Sequence, residues 1–362
     1  MLLRLVGRMD RREFSNTVIS LTGPGDLAPK FEEAGIPIVH LSMGGAAGSV
    51  FGVFKLLRSL REIKPDVVQG WLYHGDLFAL IGGKLTGVRN IAWNIRNADM
   101  GEDYYRGFHG LLVRLLATLS KIPECVIVNS HAGRSLHISR GYHPTFWCHI
   151  PNGFDLVQFH PNESARKRIR LELGIAESDC LIGIVARFDS IKGHSDFFAA
   201  ADRLLETNSD VKFVAVGQGL EPGGQVIESM KLSKKLSEHL LPVGARDDVA
   251  DILAAMDILV SASLGEGFSN VIGEAMACGL PCVVTDVGDS AQIVGAAGRI
   301  IPPANPKMLA EALKELVSMP RRSLRELGGI GRASIEKNYS ADGAVHQYQD
   351  LYRALALGNN PE

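Results

Sequence analysis

The chain has 362 residues, 46% hydrophobic and 22% charged, too long for one compact core and suited to two domains of roughly 150–200 residues each. That composition belongs to a well-packed globular protein and excludes a disordered or fibrous one. With 38 basic against 40 acidic side chains the net charge is −2, so no global field favours DNA or RNA and nucleic-acid binding is not expected.

The charge is unevenly split. Residues 1–155 carry 17 Lys and Arg against 13 Asp and Glu, and the remainder carries 21 against 27. The first half is therefore the one suited to an anionic surface or acceptor. Cys125, Cys148, Cys180, Cys278 and Cys282 are scattered, with no CxxC pair, as reduced thiols of a cytoplasmic protein would be. Arg4, Arg8, Arg11 and Arg12 interrupt the apolar start, so no signal peptide is expected. Residues 34–54 are uncharged, yet Pro37, His40 and several glycines argue against a spanning helix and for a strand, a Gly-rich loop and a helix start.

In chain order, short β-branched runs bounded by Gly, Pro or Asp predict strands at residues 17–21, 36–41, 67–71, 90–94, 125–128 and 146–150. Further strands are predicted at 181–186, 212–216, 239–243, 258–261, 281–285 and 298–301. Helical periodicity predicts helices at 50–63, 196–206, 248–256, 271–278, 306–317 and 342–356, the last capped by Ser340. Helix 50–63 reads as packing Val50, Val53, Phe54, Leu57 and Leu60 on a sheet. Its Lys55, Arg58 and Arg61 would lie on a solvated face, or on one that rests on anionic lipid. The alternation of strand and helix implies parallel sheets with helices on both faces. The turn-rich run Pro151-Asn152-Gly153-Phe154-Asp155 marks a boundary. It divides the chain into domains 1–155 and 156–340, and a terminal helix in 341–362 is expected to cross back to the first. Two doubly wound domains would face each other across a cleft, with ligands at the carboxyl ends of the strands.

Two stretches could carry chemistry. Glu266-Gly267-Phe268-Ser269-Asn270-Val271-Ile272-Gly273-Glu274 follows an apolar strand and leads into a small-residue helix, so its amides form an anion site at a helix N-terminus. Glu274 is expected in the first turn, where its carboxylate can accept the two hydroxyls of a ribose. Arg187-Phe188-Asp189-Ser190-Ile191-Lys192-Gly193 follows the strand at 181–186, and its two cations can converge on a diphosphate. Gly217-Gln218-Gly219 mimics a dinucleotide fingerprint, but the next strand runs into Gly244-Ala245-Arg246 without a carboxylate, which argues against NAD. No Asp-x-Asp pair is present.

These stretches resemble glycosyltransferase family 4, the retaining nucleotide-sugar enzymes of the GT-B fold, an α/β architecture of two Rossmann-like doubly wound domains. The resemblance extends to Lys64-Pro65-Asp66-Val67-Val68-Gln69, Asn129-Ser130, Ile150 through Asp155, Val216-Gly217-Gln218-Gly219, Val243 through Val249 and Ala255-Met256-Asp257-Ile258. It implies that Arg187 and Lys192 hold the donor diphosphate and Glu274 the ribose. Glu266 and the amides of Gly267, Phe268, Ser269 and Asn270, with Val271 beside them, would contact sugar and phosphates. Gly217 and the segment of Gly244 and Arg246 would lie against the nucleotide. It also implies a UDP- or GDP-sugar donor with no further cofactor and no metal. His74, after the strand at 67–71, suits acceptor contact and acid–base help or a capping role. Arg96, after the strand at 90–94, suggests an anionic group nearby.

The chain departs from the family at its start. Leu2, Leu3, Leu5 and Val6 read as a helix, so the family's first strand and its glycine turn are expected to be missing, leaving two unpaired edges in the first sheet. Either the region encoded upstream of Met1 supplies that strand, or the protein is expected to fold loosely and catalyse poorly. The function implied is hexosyl transfer to a glycan or lipid-linked acceptor in cell-surface polysaccharide biosynthesis. It would take place in the cytoplasm, with peripheral contact to an anionic membrane. A non-catalytic nucleotide-sugar-binding protein and a GT-B sugar-nucleotide epimerase are the alternatives.

Overall fold

The computed structural model describes residues 1–97 and 107–359, without the side chains of residues 45–47. The chain divides into two compact units, Met1–Gly153 with Ala341–Glu362, and Phe154–Ser340.

The first unit runs α1 (Leu2–Arg8), β1 (Val18–Ser20), α2 (Ala28–Glu33), β2 (Ile38–His40), α3 (Gly45–Ile63), β3 (Val67–Gln69), α4 (Leu72–Thr86), β4 (Asn90–Ile95), α5 (Gly107–Leu119), β5 (Cys125–Val128), α6 (His131–Ser139) and β6 (Trp147–His149). All its ladders are parallel. β4 and β5 are buried on both faces. Ile91, Trp93, Val126 and Val128 point under α4 and α5, while Ala92, Cys125 and Ile127 pack with Leu5 of α1. This two-sided burial explains why these strands read as continuous apolar runs without alternation.

The sheet of this unit is in two pieces, β1-β2 and β3-β4-β5-β6. Among the described residues β1 and β3 share no ladder. Ile19 and Val68 meet only through the side-chain cluster built on Leu56 and Leu60. Both strands are three residues long and half-buried. The seam lies where a doubly wound order places its first strand, as the sequence predicts.

α3 corrects one expectation. It starts at Gly45 rather than at residue 50, and Leu56, Ser59 and Leu60 are buried, while Val50 and Phe54 are 57% and 67% exposed. Of the residues expected to pack on the sheet, Leu60 does so, Val53 and Leu57 are half-buried, and Val50 and Phe54 lie on the outer face.

The second unit runs α7 (Glu163–Glu172), β7 (Cys180–Val185), a 3-10 turn at Ser190–Lys192, α8 (His194–Leu205), β8 (Val211–Val216), α9 (Gln225–Ser229), α10 (Lys234–His239), β9 (Leu240–Gly244) and α11 (Val249–Ala255). It continues with β10 (Ile258–Ser261), α12 (Asn270–Ala277), β11 (Cys282–Thr285), α13 (Ser290–Val294), β12 (Gly298–Ile301), α14 (Pro306–Val317) and α15 (Arg321–Asn338). Its sheet is wholly parallel in the order β12-β11-β10-β7-β8-β9. Successive residues of β10 feed two cores: Leu259 joins Val214, Ile272 and Met276, and Ile258 and Val260 join Phe197, Phe213 and Leu313. The strand order reverses between β7 and β10, so the crevice beyond their carboxyl ends is the place where such sheets bind ligands. The last helix, α16 (Ala341–Ala356), belongs to the first unit, where Tyr348 and Leu351 pack with Ile127.

Candidate active site

Both chemistry-bearing stretches fall at that reversal point. Past β7, Asp189 caps the 3-10 turn by accepting the Ile191 amide (3.1 Å), and Arg187 donates Nε and Nη2 to its other oxygen at 3.3 and 3.1 Å. The Ile191 amide first, and then Arg187, hold the Asp189 carboxyl below its usual range. Gly193 ends the turn at φ +66°, and a Cβ there would stand 1.9 Å from the Ala262 carbonyl oxygen. The Leu264 amide donates to the Ile191 carbonyl at 2.7 Å. The loops after β7 and β10 are thereby locked together.

Past β10, Glu266 Oε1 accepts from Lys192 Nζ at 2.6 Å and from Ser263 Oγ at 2.8 Å. Thr285 Oγ1 in turn donates to the Ser263 carbonyl at 2.6 Å. The Lys192 and Glu266 side chains are only 27% and 11% exposed, so this pair is weakly screened by solvent and well positioned. On its other side the loop is pinned by the turn after β11. The Asp289 amide donates to the Gly267 carbonyl at 2.9 Å, and a Cβ at Gly288 would lie 2.5 Å from the Glu266 carbonyl oxygen. Sequence reasoning missed Asp189, Ser263, Thr285, Gly288 and Asp289 as supports. Only Asp189, an N-cap residue type between the two cations, carried a readable signal.

Phe268 turns inward, its ring stacked 6.1 Å from that of Phe154 and tilted 5.8 Å from that of Tyr339, so only its backbone can serve a ligand. The same Phe154 ring explains Gly273, where a Cβ would approach it to 2.1 Å. Ser269 is the N-cap of α12, but its hydroxyl accepts no hydrogen bond from the first turn. The helix begins at Asn270, so Glu274 sits in the second turn and not the first, where the macrodipole helps a carboxylate less. It shares with Asn270 and Val271 the one face of α12 that is not fully buried. Glu274→Gln should therefore weaken nucleotide binding by about 1–3 kcal/mol, the worth of a charge-assisted hydrogen bond, with little change in melting temperature. Calorimetric titration with UDP and GDP against thermal unfolding separates this from a structural role.

Gly217 follows β8 at φ +149°, donates to the Gly244 carbonyl at 2.8 Å, and has no room for a Cβ, which would fall 2.0 Å from the Ala186 carbonyl oxygen. Its glycine serves the close approach of two strand ends. Arg246 is engaged elsewhere than on a base: it donates to Asp248 at 2.8 and 2.7 Å and to Glu172 at 2.6 Å. Both carboxylates raise its pKa. The segment of Gly244 and Arg246 offers a ligand its backbone rather than a free cation.

His74 and Arg96 lie in the first unit. β3 ends at Gln69, and Leu72, at the strained φ of +64°, opens α4. His74 is exposed in the first turn, 6.5 Å from the Phe108 ring and 6.1 Å from that of His109. Two residues on, buried Asp76 accepts the Asn94 amide at 3.0 Å, and burial raises its carboxyl well above the usual range. Arg96 stands 5.0 Å over the Trp71 ring and donates to Asn152. Its Nη1 is buried without a partner among the described residues.

The folds and motifs have counterparts among known proteins. The profile of Glycosyltransferase Family 4 matches residues 1–158, and that of Glycosyl transferases group 1 matches residues 179–319. Anabaena HepE, solved in complex with UDP, superposes with a TM-score of 0.84 at 20% identity, covering 98% of this chain and 95% of that one. The fold is GT-B, two Rossmann-like domains in one chain. An Escherichia coli protein named UDP-Gal:alpha-D-GlcNAc-diphosphoundecaprenol alpha-1,3-galactosyltransferase is 33% identical over 66% of this chain and 62% of its own. N-acetyl-alpha-D-glucosaminyl L-malate synthase of Bacillus anthracis is 28% identical over 51% of this chain and 48% of its own. The chain spans about half or less of the length of several such relatives, 35% of one and 48% of two others. The chain belongs to glycosyltransferase family 4, the group 1 glycosyltransferases. No helix among the described residues is long and apolar enough to cross a membrane.

Proposed function

We propose that this chain moves a hexosyl group from a UDP- or GDP-sugar to a hydroxyl of a glycan or lipid-linked acceptor, with retention of configuration and without a metal. The observation that carries the reading is the Arg187–Asp189 and Lys192–Glu266 network at the carboxyl ends of β7 and β10. Two cations at the reversal point of a doubly wound sheet are placed to meet the phosphates of a nucleotide whose ribose lies on Glu274. As the sugar–phosphate bond breaks, Arg187 and the two ammonium protons of Lys192 not committed to Glu266 stabilise the charge on the departing diphosphate. Glu266, held by Ser263 and Lys192, presents its second oxygen to sugar hydroxyls. The leaving phosphate takes the acceptor proton on the face where the new bond forms, which preserves configuration. The membrane would be met peripherally, where a lipid-linked acceptor lies.

The test is donor turnover across a panel of nucleotide sugars with and without added acceptors. NMR of the anomeric proton in the product reports configuration. Turnover that needs an acceptor supports transfer. Interconversion of the donor without an acceptor would make the chain an epimerase. Donor binding with no turnover would make it a non-catalytic nucleotide-sugar-binding protein, the reading that the two-piece sheet of the first unit favours. Transfer is also expected to continue in EDTA at an unchanged rate, since Arg187 and Lys192 supply the positive charge that a hard cation would otherwise bring to the phosphates. Loss of activity restored by Mn²⁺ or Mg²⁺ would reassign that charge to a metal.

A further inference from the structure

The turn Gly217-Gln218-Gly219 leads through Leu220 into Glu221, an acid that the reaction proposed above leaves without a part. Backbone bonds tie this turn on both sides. The Phe188 amide donates to the Gln218 carbonyl at 2.8 Å, which joins the turn to the loop of Arg187 and Lys192. On the other side Gly217 donates to the Gly244 carbonyl, and the Gly244 amide donates to the Leu220 carbonyl, both at 2.8 Å. The turn therefore bridges the two cations and the segment of Gly244 and Arg246. The Glu221 side chain is fixed as well. The Gly219 amide donates to its Oε1 at 3.0 Å, and it folds back over Gly244, where an added Cβ would stand 3.3 Å from Glu221 Cγ. Among the described residues its Oε2 has no hydrogen-bond partner. One carboxylate oxygen is committed to the turn and the other can accept from a ligand.

Charge identifies what that ligand group is. No cation among the described residues pairs with Glu221, and Arg246 on the neighbouring segment is held by Asp248 and Glu172. An acid without a counter-charge beside a diphosphate site cannot serve the phosphates, because like charges repel. It has to face a part of the donor that carries N–H or O–H groups, which is the ribose or the base. The ribose is given to Glu274 above, so the base remains. Guanine presents its N1–H and its N2 amino group side by side, two donors for one carboxylate. Uracil presents a single N3–H between two carbonyl oxygens, which a carboxylate repels. We infer that Glu221 reads the base of the donor and selects guanine, and hence a GDP-sugar, over uracil.

The inference rests on the nucleotide site proposed above, and binding of the bare nucleotides tells the two apart. The experiment is calorimetric titration of the full chain with GDP, UDP and ADP. GDP should bind at least ~10-fold more tightly than either of the others, as one charge-assisted hydrogen bond would give. In Glu221→Gln the side-chain oxygen stays with the Gly219 amide and an NH₂ group faces the base, donor against donor for guanine. GDP affinity should fall ~10-fold or more. UDP affinity should hold or rise, since a negative charge beside the diphosphate is gone. Glu221 is exposed, so the melting temperature without nucleotide should stay within about 1–2 °C of the parent. UDP or ADP bound as tightly as GDP, or a variant that changes neither GDP nor UDP, would overturn the inference. Equal weakening of GDP and UDP would overturn it too, because Glu221 would then hold the ribose or merely prop the turn. Failure of all three nucleotides to bind would overturn the nucleotide site itself, and the inference with it.

Discussion

Lys192→Ala should lower the transfer rate by about 10²–10³-fold at saturating donor, the effect of removing one preorganised charge from a developing leaving group. The size follows from where the ammonium sits. Lys192 is held by Glu266 at 2.6 Å in a loop that Gly193, Leu264 and Ala262 lock in place, so it is positioned before the reaction and needs no reorganisation during it. Arg187 is placed differently. Its side chain is 66% exposed and tied to Asp189, so Arg187→Ala should damage turnover as strongly while leaving melting temperature within about 1–2 °C of the parent. Lys192→Ala should also cost some stability, because it leaves a carboxylate that is only 11% exposed with Ser263 as its remaining neutral partner. Measuring kcat, KM and thermal unfolding on both variants distinguishes the two. Near-normal turnover in both would place the reaction elsewhere in the molecule.

The parallel second unit was readable because its strands are buried on both faces and bounded by turn residues. The strands at Ile258–Ser261 and Gly298–Ile301 and the helix Pro306–Val317 match the predicted spans. The helix Arg321–Asn338 was not read from sequence, and its glycines show why. Gly328 and Gly331 oppose helix propensity, but a Cβ at Gly328 would lie 1.8 Å from the Gly279 carbonyl oxygen. There the close packing of two segments overrides local preference. The cations and carboxylates of the site were legible as a motif, whereas their partners were not. Ser263 reaches the site from the loop after β10, Thr285 from the end of β11 and Asp289 from the turn that follows it, and only the folded sheet brings those strand ends together. α3 shows the opposite error. Its helical character is legible but its buried stripe only in part: Leu60 packs inward as expected, whereas Val50 and Phe54 face outward and Leu56 takes a buried place, since periodicity alone does not say which stripe the sheet covers.

Gly193→Ala should be among the most damaging single changes to the fold of the second unit, and it has a built-in comparison. Gly174 and Gly193 share φ +66°, so alanine pays the same left-handed backbone cost at both, roughly 1 kcal/mol. Around Gly174 a Cβ meets nothing within 4 Å, whereas at Gly193 it would stand 1.9 Å from the Ala262 carbonyl oxygen and 2.7 Å from its carbon. Neither contact is with a flexible side-chain end. The obstacle is the backbone that follows β10, so relief requires the turn at Ser190–Lys192 to lift away. Lifting it breaks the 2.7 Å bond from the Leu264 amide to the Ile191 carbonyl and draws Lys192 from Glu266. The loss should exceed about 3 kcal/mol, among the larger effects of single substitutions, against a total stability of ~5–15 kcal/mol. Gly174→Ala should lower the melting temperature by only about 2–4 °C and Gly193→Ala by roughly 10 °C or more. Donor binding should be lost in the second variant and kept in the first. Similar melting temperatures for the two would mean that the turn yields easily, and the locked-loop account of how Lys192 is positioned would fall with it.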